Sequence, residues 1–80
     1  MGDVAATVLG ALASALAVRR TALGLDAAMH ETPGWDSLAT VRFIVALEAA
    51  FDCELDLDAA ERMVSVREAV AHFAARERVA

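Results

Sequence analysis

Apolar side chains recur every four residues at the start of the chain. They occupy Val4, Val8, Leu12 and Leu16, with Leu9 beside them. This spacing places them on one side of an α-helix, whereas a half-buried strand would need alternation at every second residue. A chain of 80 residues holds one domain at most. We therefore expect residues 1–80 to form a single domain whose first helix covers Val4 to Val18.

The same run, Val4 to Val18, is apolar enough to be compared with targeting segments. Its fifteen residues fall short of the roughly 18 needed to cross a bilayer. "ALASALA" contains the A-x-A pattern of a signal-peptide cleavage site, but residues 1–3 carry no basic side chain, and Arg19 and Arg20 follow the run. We interpret the run as a helix of the folded protein.

The composition limits the function classes. Apolar residues make up 59% of the chain, above the roughly 45–50% of globular proteins, and much of the excess is alanine, a strong helix former. The net charge is −5, with no lysine. This charge argues against nucleic acids and anionic membranes and favours basic partner proteins. The single cysteine excludes an internal disulfide and is typical of a reducing cytosol. We expect a cytoplasmic monomer.

A long connection separates the first helix from the second. Residues 19–35 contain two glycines and one proline and show weak periodicity, which predicts a loop that ends at Pro33–Gly34. The apolar side chains expected to hold it against the core are Leu23, Leu25 and Met29. A second helix is predicted from Asp36 or Ser37 to Phe51, with an acid or a hydroxyl as its N-cap.

Two further helices are predicted near the C-terminus. Asp58 can cap a short helix, with Glu61 three residues later. Ser65 and Glu68 match a capping box, so the last helix starts there and runs to about Arg78. Its inward-facing side chains are predicted to be Val66, Val70 and Phe73, with Ala69 and Ala74 beside them. No strand or repeat is visible, so the fold class is all-α, a small bundle of three longer helices plus one short helix.

The second helix carries two apolar stripes. At about 100° per residue, the predicted core face holds Thr40, Phe43, Ile44, Leu47 and Phe51. The other stripe consists of Leu38, Val41 and Val45, with Glu48 and Asp52 beside it. A helix of a small bundle seldom needs two apolar stripes. The second stripe either packs under the long connection, covered by Trp35 or Leu25, or forms an exposed patch that docks partner proteins.

The stretch "PGWDSL" places the only proline and the only tryptophan beside a serine, Ser37, at the predicted helix start. One role for Ser37 is the N-cap, which contributes about 1 kcal/mol. A hydrolase nucleophile would need a positioned base and an oxyanion hole, and neither His30 nor His72 has a placing motif. A third role is a covalent anchor, because a helix N-terminus favours the negative charge of a phosphodiester. These features alone favour the capping role.

Other polar and sulfur-containing residues are predicted to be structural. His30, His72 and Cys53 lack metal-ligand spacing, so we expect no metal site. Cys53 is predicted to be a half-buried thiol at a helix end. Met29 and Met63 are predicted to fill the core.

The segment "WDSLATVRFIVALEAAFDCELDLDAAERMVSV", Trp35 to Val66, resembles the acyl carrier proteins. The resemblance covers the D-S-L, the apolar helix after it, the L-E-x-x-F of Leu47 to Phe51, the acidic short helix and the capped last helix. The first helix and the long connection match only in length and pattern. Three residues such as D-S-L recur by chance, but their combination with this helix register and chain length is specific.

The resemblance implies that Ser37 carries a covalent 4′-phosphopantetheine arm, with Asp36 preceding it as in the family. A phosphopantetheinyl transferase attaches the arm from coenzyme A. Acyl or aminoacyl groups are held on its thiol as thioesters and are presented to loading and processing enzymes, so the carrier itself has no catalytic residue. Trp35 is expected either to anchor the loop so that Ser37 stays presented or simply to pack the loop.

The resemblance also implies a docking surface for partner enzymes, to which we assign Leu38, Val41, Val45, Glu48, Asp56, Asp58 and Glu61. Family members often carry a dense acidic face on this helix, but the corresponding positions here are Ala39, Arg42, Ala49 and Ala50. We therefore expect a dedicated carrier in a specialised pathway, such as polyketide, nonribosomal-peptide or antibiotic biosynthesis. The competing hypothesis is a small helical interaction adaptor in which Ser37 is only a helix cap.

Overall fold

The protein folds as a helical bundle. The computed structural model describes the backbone of residues 3–79 and the side chains of residues 3–76. Its helices are α1 (Val4–Leu16), α2 (Ser37–Phe51), α3 (Leu57–Glu61) and α4 (Val66–Val79), with a 3₁₀ turn at Arg20–Ala22. The described residues form no strand, only an isolated antiparallel bridge between Ala28 and Ser65. The predicted bundle of three longer helices and one short helix is confirmed.

Helix α1 begins after Asp3, whose carboxylate accepts the Ala6 N–H at 3.3 Å. It ends two residues earlier than predicted, because Ala17 adopts the left-handed conformation (φ 57°) and the Val18 N–H turns back to the Ala13 carbonyl at 3.0 Å. Helices that end with such a bond usually have glycine at the left-handed position, which Ala17 occupies here. None of the described helices combines the length and apolar character that crossing a bilayer requires.

The core lies where α1 packs against both α2 and α4. Its fully buried large side chains are Val8, Leu12, Trp35, Phe43, Leu47, Met63, Val66 and Phe73. The predicted core face of α2 is confirmed, with Thr40 also buried and with Ile44 and Phe51 packed at its edge. The predicted inner face of α4 is likewise confirmed, because Ala69 is buried and Val70 is half-buried beside it.

The connection between α1 and α2 is attached to the start of α4. The Met29 N–H donates to the Val64 carbonyl at 2.9 Å, and the Val66 N–H donates to the Ala27 carbonyl at 3.0 Å. Leu23 and Met29 pack against the core as predicted. The prediction for Leu25 is wrong: it is 45% exposed. A turn that brings the Ala27 N–H to the Gly24 carbonyl at 3.2 Å buries Ala27 in its place.

Helix α3 begins earlier than predicted, and its N-cap is Asp56 rather than Asp58. Asp56 has the extended backbone that a cap requires, and its carboxylate accepts the N–H of the buried Ala59 at 2.8 Å. Asp58 instead lies in the first turn, 3.7 Å from the Arg62 guanidinium. At α4, the Ser65 hydroxyl accepts the Glu68 N–H at 3.1 Å, which confirms the serine half of the predicted capping box.

Candidate functional site

A tight turn precedes α2. The Trp35 N–H donates to the Thr32 carbonyl at 3.0 Å, so Pro33 and Gly34 occupy the corners of a β-turn. Gly34 has φ +85°, which favours glycine at the third position of such a turn, while proline suits the second. The turn reverses the chain and directs Trp35 towards the bundle.

Trp35 is a core residue, only 1% exposed. Its ring meets the ring of Phe43 edge-on, with centroids 5.3 Å apart and planes at 78°. Its indole N–H donates to the Thr40 hydroxyl at 2.8 Å. These contacts tie the end of the connection to the first turns of α2.

The residue that caps α2 is Asp36. Its backbone is extended (φ −105°, ψ −171°), and its carboxylate accepts the Ala39 N–H at 2.9 Å. Ser37 is the first residue within the helix, and it is exposed. The interpretation of Ser37 as the N-cap is therefore wrong, because the aspartate one residue earlier makes the capping bond.

The surroundings of Ser37 suit a negatively charged substituent. The first N–H groups of an α-helix lack partners within the helix, and of those in α2 the Ala39 N–H is taken by Asp36. The N–H groups of Ser37 and Leu38 remain at the positive end of the helix dipole, which favours anions. A phosphodiester on the Ser37 hydroxyl fits this place, because the side chain is exposed and is not the cap.

An open groove of about 360 Å³ lies beside the turn and is lined by residues 30–36. His30 lines it, and its N–H donates to the Trp35 carbonyl at 2.8 Å. The other histidine, His72, lies in α4, where its ring packs edge-on against Phe73 at 4.9 Å. Cys53 is half-buried and free, as predicted. The part of the chain that the structure describes holds no group of three or more potential metal ligands.

The second stripe of α2, which we call the apolar stripe, is exposed. Leu38, Val41 and Val45 are 58%, 56% and 59% exposed. The hypothesis that the connection covers them is wrong, since Trp35 is buried against Phe43 and Leu25 is itself exposed. The apolar stripe thus begins one residue after Ser37.

Leu57, the first residue of α3, is 77% exposed, and it was not among the predicted docking residues. Its sequence signal was a large apolar residue between two acids, Asp56 and Asp58. Its exposure depends on where α3 begins, which the fold decides.

The predicted docking acids differ in their surroundings. Glu48 is half-buried, and its carboxylate accepts the Leu55 N–H at 2.8 Å, so it holds the loop between α2 and α3. Asp56, Asp58 and Glu61 are all exposed, and Asp56 is also the cap of α3. Among the positions where the family often has acids, Ala39 is buried and is not part of any docking face, while Arg42, Ala49 and Ala50 are exposed.

Comparison with known proteins identifies the class to which this fold and site belong. The family described as "Phosphopantetheine attachment site" matches residues 6–73, which include the turn, Ser37 and all of α2 and α3. The chain therefore belongs to this family, and the expectation of phosphopantetheine as the cofactor is confirmed.

The acyl carrier protein of Desulforapulum autotrophicum is a curated relative. It is 40% identical over 48 residues, which cover 60% of this chain and 62% of that protein. The chain thus spans about three-fifths of the length of this relative. Together with the family match, this likeness confirms the resemblance to acyl carrier proteins.

Proposed function

We propose that Ser37 bears the 4′-phosphopantetheine arm and that the protein carries acyl or aminoacyl intermediates on it as thioesters. The observation that carries this proposal is the division of roles at the start of α2. Asp36 makes the capping bond to Ala39, which leaves Ser37 exposed and available for modification.

Attachment makes one bond to the chain. The Ser37 hydroxyl oxygen attacks the phosphorus next to the pantetheine of coenzyme A, and the phosphoanhydride bond breaks as adenosine bisphosphate leaves. The hydroxyl proton passes to a base of the phosphopantetheinyl transferase. The N-terminus of α2 favours the phosphodiester that results. The attached arm supplies the thiol that forms thioesters. The chain holds the arm and presents its cargo to partner enzymes, and it does not catalyse their reactions.

Partner enzymes dock on the apolar stripe. Its three side chains are more than half exposed, and such a patch in a small protein is typical of an interaction surface. The exposed acids of α3, Asp58 and Glu61, favour partners with a basic rim. The partners are the transferase and the enzymes that load and process the cargo.

The pathway is a specialised one of the polyketide or nonribosomal-peptide kind, including antibiotic biosynthesis. The support is the departure on α2, where Arg42, Ala49 and Ala50 replace the acids that family members often have. Residues 1–80 act as a single carrier domain, monomeric and cytoplasmic, with no affinity for nucleic acid. The adaptor hypothesis is less well supported, because its premise was that Ser37 is the cap of α2.

Mass spectrometry tests the attachment site. The protein is incubated with coenzyme A and a broad-specificity phosphopantetheinyl transferase, and the wild type should gain the mass of one phosphopantetheinyl group. Ser37→Ala should gain nothing and should keep its fold, because the exposed hydroxyl makes no capping bond. Ser14→Ala, which removes another exposed hydroxyl, is the matched control and should be modified like the wild type; Ser65→Ala, which also loses the cap of α4, should still be modified. Modification of Ser37→Ala would show that another serine is the site.

A further inference from the structure

A short hydrogen-bond network links the connection to the first turns of α2. The indole N–H of Trp35 donates to the Thr40 hydroxyl at 2.8 Å. The same hydroxyl oxygen lies 3.1 Å from the Asp36 carbonyl and 3.0 Å from the Met29 sulfur. A threonine hydroxyl has one proton, so it donates to either of these acceptors while it accepts from Trp35.

Packing alone does not require this polar pair. Trp35 is 1% and Thr40 is 9% exposed, and replacing both partners of a buried hydrogen bond by apolar groups of the same shape is often nearly neutral. Apolar side chains of that shape would not fix the orientation of the two residues, because dispersion contacts allow small rotations. The hydrogen bond of 2.8 Å between Trp35 and Thr40 resists such rotations. The network therefore specifies an orientation.

The oriented element is the segment that contains Ser37. On its N-terminal side, the Trp35 carbonyl accepts the His30 N–H at 2.8 Å, and the Trp35 N–H donates to Thr32 at 3.0 Å. On its C-terminal side, the Thr40 N–H donates to the Asp36 carbonyl at 3.0 Å. Ser37 thus lies between two residues that are joined through their side chains, although its own side chain is exposed.

We propose that Trp35 and Thr40 are positioning residues that hold the start of α2, and with it the Ser37 hydroxyl, in the orientation needed for phosphopantetheinyl transfer. This inference rests on the proposed role of Ser37. Transfer requires the attacking oxygen to be placed accurately, and a displacement of about 1 Å can cost on the order of a hundredfold in rate. Neither residue contacts the reacting atoms, so they act through the backbone on either side of Ser37.

Thr40→Val tests the proposal, because it keeps the side-chain shape and removes the hydroxyl. The turnover number kcat of the transferase should fall on the order of tenfold with little change in KM, since docking is intact and only the orientation of the hydroxyl is relaxed. Thr40→Ser restores the hydroxyl and should return kcat towards the wild-type value. Trp35→Phe, which removes the indole donor, should lower kcat in the same direction as Thr40→Val.

Nuclear magnetic resonance supplies a readout that does not depend on the transferase. The chain has one tryptophan, so its single indole N–H signal reports the bond to Thr40. In Thr40→Val this signal should shift, and the Ala39 amide, which donates to Asp36, should exchange faster with solvent. In Thr40→Ser both should resemble the wild type.

A matched control separates positioning from stability. Val8→Ala removes buried volume from α1 and should lower the melting temperature without changing kcat, when all variants are compared well below their melting temperatures. The proposal is overturned if Thr40→Val loses the indole bond but keeps both kcat and Ala39 protection, or if Val8→Ala lowers kcat equally. Failure of wild-type modification contradicts the proposed function and this inference with it, whereas the two outcomes above overturn the inference alone.

Discussion

The carboxylate of Asp36 accepts the backbone N–H of Ala39 at 2.9 Å. This bond spans Ser37, which lies between the two residues and is exposed. Capping and the proposed modification therefore fall on neighbouring residues rather than on one, so a change at Ser37 should leave the cap of α2 intact.

The first prediction concerns the cap. Asp36→Ala should lower the free energy of unfolding by about 0.5–2 kcal/mol, because the Ala39 N–H loses its acceptor. Asp36→Asn is the control, since its side-chain oxygen can still accept the bond and should preserve most of the stability. Urea unfolding followed by circular dichroism measures both. Equal losses in the two variants would show that the charge of Asp36, and not its capping bond, supplies the stability.

The second prediction ranks two aromatic residues of α2. Phe43 is fully buried, so Phe43→Ala should cost about 3–5 kcal/mol, enough to unfold a domain of this size. Phe51 stacks on Phe73 at 3.9 Å with nearly parallel rings but is partly exposed, so Phe51→Ala should cost less. Thermal melts of the two variants give the order. A larger loss in Phe51→Ala would mean that the stack at the bundle edge contributes more than the burial of Phe43.

The third prediction tests the apolar stripe. Val41 is 56% exposed, so Val41→Asp should change the free energy of unfolding by no more than about 0.5 kcal/mol. It should slow modification by the transferase, because the new carboxylate would lose water at the centre of the contact. Ala71→Asp adds the same charge on the exposed side of α4 and is the control. Melting curves and transferase kinetics are measured on the same samples. A wild-type rate of modification in Val41→Asp would show that the apolar stripe is not part of the docking surface.

The fourth prediction concerns partner choice. Arg42 is exposed on α2 beside the apolar stripe, at a position where family members often have an acid. Arg42→Glu should raise kcat/KM with fatty-acid-type partner enzymes that carry basic patches, and the gain should shrink as salt rises, because salt screens exposed charges.

Arg42→Gln controls for loss of the arginine alone, and its kcat/KM should lie between those of the wild type and Arg42→Glu. Measurements of kcat/KM at two ionic strengths show whether the gain depends on charge. A gain that is independent of salt would point to the shape of the side chain rather than to its charge.

The helices and their inner faces were predictable from sequence, because apolar spacing is a property of each segment by itself. The limits of α2 and the buried side of α4 were correct, and the D-S-L motif together with the helix register and chain length indicated the family. The N-caps were harder to predict where two candidate residues lie close together in the sequence. Asp36 and Ser37 both suit the N-cap of α2, and Asp56 and Asp58 both suit that of α3, so the choice depends on which backbone is extended when the helix packs.

Amino-acid sequence alone thus determined the helical class, the core faces and the serine at the start of α2, since these follow from periodicity and from a local motif. Tertiary structure decided which side chains are buried and which are exposed. It buried Trp35 against Phe43, left the apolar stripe open and engaged the Glu48 carboxylate with the Leu55 N–H. Whether a second apolar stripe is covered depends on how the neighbouring segments pack against the helix, and the spacing of residues within the helix does not encode that packing.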